Sequence, residues 1–361
     1  MQIFWMIIKL ILVLAILFGL YVAGSILLAT LTDYSPGTVK KLEVGGNASS
    51  NTPGDTLTLY NWNIGYGGLG EESDFFYDGG KMVRSSKKMV KKNTEGVIAA
   101  IKSWADADII FLQEVDKKSK RSYGFNQVAA LQHAHPAFDA VFAINYNVTY
   151  VPIPFLRPMG GVLGGLVTLM RYRPSEVVRH QYPSQFPWPK QLFFLDRCNM
   201  LIRYHLPSGK DLVVLNTHNS AYDDTGKLKA AEMEYLRKLL LYEYGKGNYV
   251  IVGGDWNQCP PGFDPYQTMS REEADYEQTI IEAGFMPEGW QWVYDPAVST
   301  NRKVTAAYQP GKTYTTVIDF YLISPNVEML EVKGIDLKFA YSDHQPVKMK
   351  VVLKKPALPV N

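Results

Sequence analysis

Hydrophobic residues fall into two patterns along this chain. The first is one long run: Leu10 to Leu31 holds 22 residues without a charge, most of them Leu, Ile, Val or Ala. As a helix it is about 33 Å long, enough to cross the hydrocarbon core of a bilayer. A cleavable signal peptide has a shorter apolar stretch, about 7–15 residues. The length therefore predicts a retained transmembrane helix over residues 1–32. The second pattern is a series of short β-branched or alternating runs, each ending on polar side chains. Thr56–Tyr60 leads to Asn61 and Asn63. Asp108–Val115 carries Glu114 near its end, Leu212–His218 ends on a histidine, and Tyr249–Val252 leads through Gly253 and Gly254 to Asp255 and Asn257. Thr315–Ile323 is apolar apart from Asp319, and Ser342, Asp343 and His344 precede the last run, Val347–Leu353. Helical spacing lies between these runs. Val90, Val97, Ile98 and Ile101 predict a helix over 85–104, and a second runs over 227–244 until Gly245 and Gly247. Ser270–Glu273 reads as a capping box that opens a helix ending at Gly284.

The remaining segments divide the chain. Residues 33–56, rich in Gly, Asn, Ser, Thr and Pro, are expected to be a flexible tether. Residues 57–353 are expected to form one α/β domain, and 354–361 a tail. Gly65–Gly70 matches GxGxxG after a strand, but an acidic, aromatic stretch follows it instead of a helix. That excludes a dinucleotide fingerprint and leaves a mobile loop. Tyr150–Pro158 is apolar and broken by proline, so it is neither helix nor central strand. It could cap the core, meet a membrane surface or wall a substrate groove.

Composition narrows the chemistry. A net charge of +2 on 361 residues implies no general field for polyanions. Basic residues do cluster at 81–92 and 117–121, as a phosphate or anionic-lipid patch or as a solvated face. Two cysteines, Cys198 and Cys259, exclude a disulfide framework and a cysteine-type zinc site. His133 and His135 lack carboxylate neighbours and read as surface residues. No GxSxG supports a serine-hydrolase elbow.

The polar strand ends carry the candidate chemistry: Asn61, Glu114, His218, Asp255, Asn257, Asp319, Asp343 and His344. Packed sheets would bring such ends to one edge. Crowded carboxylates repel one another unless a cation or histidine sits among them. Oxygen-rich ligation suits Mg²⁺, with Mn²⁺ or Ca²⁺ as alternatives, better than Zn²⁺. Such a site supports attack of water on phosphorus.

In this order the motifs resemble the endonuclease/exonuclease/phosphatase superfamily, over about residues 57–353. They are Asn61-x-Asn63, Leu112–Glu114, Asn216–His218, Gly254–Asn257, Ile318–Phe320 and Ser342–His344. The resemblance implies a four-layered α/β sandwich, two β-sheets face to face with helices outside, and a need for Mg²⁺. It implies that Glu114 ligates the metal with Asn61 and Asp343 beside it. His344, oriented by Asp319, would act on the proton or the phosphate. Asp255 would position or activate water, and Asn257 would hold a phosphate oxygen. His218 stands where deoxyribonuclease- and sphingomyelinase-like members carry His and abasic-site endonucleases carry Tyr. Asn63 stands where some members have an acidic residue, and Arg197 and Asn145 are further phosphate-facing candidates. Thr316–Asp319 lacks the Trp-Cys-Asp-Arg segment of the inositol-phosphatase branch.

The expected protein is a single-pass, membrane-tethered phosphodiesterase, its catalytic domain outside the cytoplasm. A phospholipid headgroup is favoured as substrate. A nuclease or a non-catalytic module on the same fold is the alternative. Nothing in the sequence marks an obligate protein partner.

Overall fold

The structure is a computed structural model describing residues 1–223 and 225–355. Of the expected tail, residues 356–361 lie outside the described residues. After the long helix α1 (Gln2–Leu31) come β1 (Val39–Lys41), β2 (Gly45–Gly46) and β3 (Thr56–Asn63). Helix α2 (Lys87–Lys102) leads to β4 (Ile109–Asp116), and α3 (Gln127–Ala134) to a hairpin of β5 (Asp139–Val151) and β6 (Gly160–Met170). Next are β7 (Glu176–Gln181), β8 (Cys198–His205), β9 (Asp211–His218), α4 (Lys227–Gly245), β10 (Tyr249–Asp255) and the single turn α5 (Arg271–Ala274). Short strands β11 (Gln291–Val293), β12 (Asn301–Arg302) and β13 (Thr315–Thr316) precede β14 (Asp319–Ile323), β15 (Val327–Gly334) and β16 (Val347–Leu353).

The strands form two seven-stranded sheets, ordered β1-β7-β8-β9-β10-β14-β11 and β15-β16-β3-β4-β6-β5-β2. Two central pairs, β3/β4 and β9/β10, are parallel. A parallel pair needs a crossover, and here α2 and α4 supply it. Alternation along the strands makes the layers. Leu59, Phe111, Val214, Ile251 and Tyr321 point between the sheets into one core. Their neighbours Tyr60, Ile110 and Leu112 point outward with Val97 and Ile101 of α2 and Leu131 of α3. On the other side Val213, Leu215, Val250 and Val252 meet Met233, Leu236 and Leu240 of α4. The result is a four-layered α/β sandwich.

The core between the sheets changes character at one end. One step of two beyond the apolar residues, the same face carries Asn61 and Gln113 on one sheet and Asn216 on the other. Gln113 Nε2 donates to Asn61 Oδ1 at 2.8 Å and to Asn216 Oδ1 at 2.7 Å. Asn216 Nδ2 reaches the carbonyls of Leu112 and Val167 at 3.3 and 3.1 Å. Asn61 Nδ2 donates to the Gly254 carbonyl at 3.0 Å. These buried amides join the sheets just behind the polar strand ends.

Several segments depart from expectation. Residues 33–56 are laid along the edges of both sheets: β1 pairs with β7, β2 with β5, and Ser49 bridges Tyr172. Leu42 and Val44 supply the apolar contact that holds this segment down. Gly65–Gly70 is a buried turn, tied by Asn93 Nδ2 to the Gly67 carbonyl and by Gln127 Nε2 to the Tyr66 carbonyl. The capping box at Ser270 is present, yet its helix stops after one turn, not at Gly284. Asp275 adopts a left-handed conformation there, and Lys303 Nζ takes the carbonyls of Ala274 and Asp275.

Asn216→Leu should lower stability by about 1–3 kcal/mol, because Gln113 and two carbonyls lose buried partners. The measurement is the denaturant midpoint at unchanged m-value. A midpoint equal to wild type would show that the amides do not join the sheets energetically.

Candidate active site

The polar strand ends gather at the edge beyond this amide layer. β10 is central. Gly253 lies where a Cβ would come within 2.7 Å of both Phe111 and Tyr321, and at Gly254 a Cβ would sit 2.0 Å from the Thr217 carbonyl. Close packing requires the two glycines, where the sequence suggests a turn. Asp255 follows, buried, and four groups surround it. Asn63 Nδ2 donates to its Oδ2 at 2.9 Å and the Asn257 backbone N–H to its Oδ1 at 2.9 Å. His218 Nε2 lies 3.3 Å and His344 Nε2 3.8 Å from Oδ2. Asn257 has φ of 51°, so a tight turn, not strand alternation, brings it beside Asp255. Its Nδ2 donates to the Asn219 carbonyl at 2.8 Å.

His344 is held from two sides. Asp319 Oδ2 lies 2.8 Å from its Nδ1 and Trp62 Nε1 donates to its carbonyl at 2.9 Å, and the Asn301 carboxamide lies 3.0 Å from its Nε2. The other carboxylate oxygen of Asp319, Oδ1, has no partner among the described residues. Burial opposes charge on His344, but the carboxylates of Asp319, Asp255 and Asp343 outweigh it and raise its pKa well above the ordinary value. Burial pushes Asp319 up to about 6 against the pull of His344. His218 shifts the other way. Burial, then the charges of Arg197, His344 and Arg121, hold it well below the ordinary value. The site thus pairs a charged imidazole with a neutral one.

Glu114 enters through a β-bulge. The β4–β6 register slips between Leu112 and Val115, and Glu114 takes φ of 53°. The extra residue turns its side chain toward Asn63, whose Nδ2 lies 3.2 Å from Glu114 Oε1. Behind it Arg121 is buried, stacked 3.7 Å from the Tyr66 ring centroid. Its Nη2 donates to Asp116 Oδ1 at 3.0 Å, and its Nη1 lies 3.8 Å from Glu114 Oε2. Arg121 is thus part of the site wall, not of a surface basic patch. Asp343 is pushed up to about 7, chiefly by burial, with the charge of Glu114 adding to the rise and His344 opposing it.

Of the residues singled out from the sequence, His218, Asp255, Asn257, Asp319 and His344 form one cluster, with hydrogen bonds between Asp319 and His344 and between Asp255 and Asn257. Glu114 and Asp343 stand beside it. Asn61 does not join them: both ends of its amide are spent on Gln113 and Gly254, and it is fully buried. Asn63, two residues on, touches both Glu114 and Asp255. The side chain of Arg197 is buried near His218, and its Nη1 has no partner among the described residues. Asn145 lies beside Cys198, with Oδ1 4.0 Å from the Cys198 sulfur. Asn301, Asn219, Tyr66 and Arg121 contribute without having stood out in the sequence. Asn301 and Asn219 sit in segments with no hydrophobic period, and Arg121 is masked by neighbouring lysines.

A family model described as the endonuclease/exonuclease/phosphatase family matches residues 60–344. The chain belongs to this family. Its members are phosphoester hydrolases. No curated protein matches the sequence. Among solved structures, an endonuclease/exonuclease/phosphatase from Beutenbergia cavernae DSM 12333 is similar at 18% identity and TM-score 0.54, over 83% of this chain and 72% of that one. TDP2 of D. rerio complexed with single strand DNA product matches at 15% identity and TM-score 0.50, over 82% and 99%. ANGEL2, a 2',3'-cyclic phosphatase, matches at 14% identity and TM-score 0.50, over 88% and 99%. At these identities the likeness is one of fold.

Endonuclease/exonuclease/phosphatase enzymes generally depend on a divalent metal, and the donors present fit one. Asp255, Asp319 and His344 offer ligand atoms within 4.8 Å of one another. His344 Nδ1 is spent on Asp319, however, and its Nε2 lies 3.8 Å from Asp255, so that trio is better described as a hydrogen-bonded pair beside a carboxylate. Glu114 and Asp343 are the oxygen donors a hard cation prefers, while Asn63 turns its NH2 to Glu114 and Asp255 and its oxygen to the Gly65 N–H.

The neutral His218 gives a pH test. Below about pH 6.5 the unfolded chain binds a proton at this residue that the folded chain refuses. Its effect on stability is absent above that pH and grows more adverse as pH falls toward the folded pKa. His218→Gln should therefore lose about 1 kcal/mol less stability than wild type between pH 7.5 and 5.5. Equal losses in denaturant titrations at the two pH values would show that His218 titrates normally.

Proposed function

We propose that this protein is a membrane-tethered, divalent-metal-dependent phosphodiesterase that acts on phospholipid headgroups. The observation that carries the catalytic part is the meeting of Asp255, His218, His344 and Asp319 beside Glu114 and Asp343. Mg²⁺ is the cation favoured by an oxygen-rich donor set, with Mn²⁺ or Ca²⁺ as alternatives. Glu114 and Asp343 would hold it, with Asn63 orienting the Glu114 carboxylate through its Nδ2. Such an ion neutralises phosphate charge and polarises the bond to the leaving oxygen.

The chain's own groups do the rest. Asp255, fixed by Asn63 and by the Asn257 backbone N–H, accepts a proton from the attacking water at Oδ2. His344, kept charged by Asp319, donates a hydrogen bond to a phosphoryl oxygen that gains charge in the transition state. Asn257 and the buried guanidinium of Arg197 supply further donors to the phosphate. His218, neutral, supports Asp255 without competing for its proton.

The lipid reading draws on α1, which is 30 residues long and apolar enough to cross a bilayer. On this reading α1 is a single-pass anchor with the catalytic domain outside the cytoplasm. An aromatic rim adds support: Tyr77 packs against Phe194 and Tyr222, at 6.2 and 5.7 Å between ring centroids. A nuclease is the second reading. It rests on the exposed lysines of α2 and on the likeness in fold to D. rerio TDP2, solved with a single strand DNA product. Two of those lysines are committed elsewhere, Lys92 to Glu71 and Glu72 and Lys91 to Glu95.

Full-length protein in phospholipid vesicles should hydrolyse sphingomyelin or a related headgroup ester. Chelation should abolish the activity and Mg²⁺ should restore it. Asp255→Ala and His344→Ala should each lower kcat by about 10²–10⁴ at unchanged fold. Unaltered turnover in both variants would reject these catalytic roles. A preference for DNA or RNA with steep salt dependence would favour the nuclease.

A further inference from the structure

The apolar segment at Tyr150–Pro158 is the tip of the β5–β6 hairpin, and it touches α1. Tyr21 OH lies 3.0 Å from Tyr150 OH, and it donates to the Pro152 carbonyl at 3.3 Å. The Phe155 ring packs edge-on against both Phe18 and Tyr21, at 5.5 and 5.1 Å between centroids. Despite these contacts the tip is open. Leu156 is 88% exposed, Phe155 52% and Ile153 42%, and nearby Trp188 is 64% exposed. Helix α1 also lies against the turn Lys190–Phe193 that follows Trp188. Large apolar groups left open in this way mark a surface that another phase or partner covers.

The level of the bilayer along α1 follows from length. About 20 residues span the hydrocarbon core. If the span begins as early as Gln2, it ends near Tyr21, level with the hairpin tip. A span shifted toward Leu31 would carry the tip below the headgroups, so the early register is the one that sets it at the interface. Resting on the reading of α1 as a membrane span, we propose that the hairpin tip Pro152–Pro158, with Trp188, inserts into the same lipid surface as α1. The charged residues of the tip and of segment 186–195 are Arg157 and Lys190, both basic and both exposed. Lys190 Nζ lies 4.0 Å from the Phe186 ring centroid. Aromatic rings with basic tips suit the headgroup layer, where the apolar body enters and the charge stays at phosphate level. Insertion gives the domain a second hold on the bilayer. Val151 and Met159, at the base of the tip, share an apolar cluster with Tyr146 and Tyr77. Tyr146 faces Arg121 of the site wall, and Tyr77 belongs to the rim. The lipid-facing tip and the catalytic mouth are thus parts of one packed unit.

The test uses full-length protein in phosphatidylcholine vesicles that carry nitroxide-labelled lipid. Cys198 and Cys259 are buried, so a single introduced cysteine takes a fluorescent label. Label at Leu156→Cys should be quenched by the lipid nitroxide, as should label at Leu17→Cys in α1. Label at Leu330→Cys, exposed on β15, should not be. Quenching at 17 without quenching at 156 overturns the insertion and leaves the anchor standing. Quenching at neither overturns both. A label at 156 that is shielded from aqueous iodide but not quenched by lipid would mean that a protein, such as a second copy, covers the tip, and this also overturns the proposal. Leu156→Asp should slow hydrolysis of vesicle lipid at least about tenfold, with a soluble phosphodiester cleaved as before. Equal loss on both substrates would point to a damaged fold and count against it.

Discussion

The close packing of β10 at Gly253, against the opposite sheet, and at Gly254, against its neighbour β9, is the constraint on which the site depends. Phe111 from one sheet and Tyr321 from the other leave room at Gly253 for a hydrogen atom and no more. With β10 held in that gap, the strands around it must end together. Each strand continues its alternation for one or two residues past the apolar core, so the next inward positions, Asn63, His218 and Asp255, fall on one another. Packing of hydrocarbon and placement of chemistry are the same event here. The amides of Gln113, Asn61 and Asn216 mark the boundary, because they satisfy backbone groups of both sheets where neither water nor hydrocarbon would serve.

Burial pushes Asp319 and Asp343 toward the neutral form. Partners prevent it unevenly, and the unevenness is useful. His344 and His218 both lie within 4 Å of Asp255. His344 is also in contact with Asp319 and near Asp343, so three acids sustain its charge. His218 is held low first by burial and then by the charge of Arg197, and stays neutral. Two like residues in one pocket are thereby set to opposite protonation states, and each can do what the other cannot. The backbone contributes as well. Glu114 and Asn257 both sit in the left-handed region, at the two places where a side chain must leave the direction its strand would give it.

Much of this is legible in the sequence because strands have a strict period. Asp255, Asp319, His218 and His344 stand out from apolar runs that end on polar groups, and the four layers follow from two parallel crossovers. Periodicity does not separate Asn61 from Asn63, since a period of two puts both on one face. Only depth distinguishes them, and Asn61 lies one layer further into the amide network. Asn301 and Asn219 sit in stretches without alternation. Arg121 reads as the last of a lysine cluster, although its stack on Tyr66 removes it from the surface. The segment 33–56 has a tether's composition, but the edges of two sheets offer free backbone groups, and Leu42 and Val44 are enough to bring it there.

The pairing of segment 33–56 changes the meaning of the N-terminal helix. A flexible tether of about twenty residues would let the domain tumble above whatever surface held α1. Seven residues separate Leu31 from Val39, where β1 is already paired to β7. Tyr21, well inside α1, is bonded to the hairpin tip. If α1 spans a bilayer as proposed, a helix joined this tightly to its domain fixes the height and tilt of the active site. Reaching a headgroup then depends on geometry set by the fold, because a domain that cannot reorient meets only the substrates presented at that level. A polymeric nucleic acid in solution would gain nothing from such a pose, whereas an ester lying in the plane of a bilayer would meet the same catalytic groups in the same orientation each time.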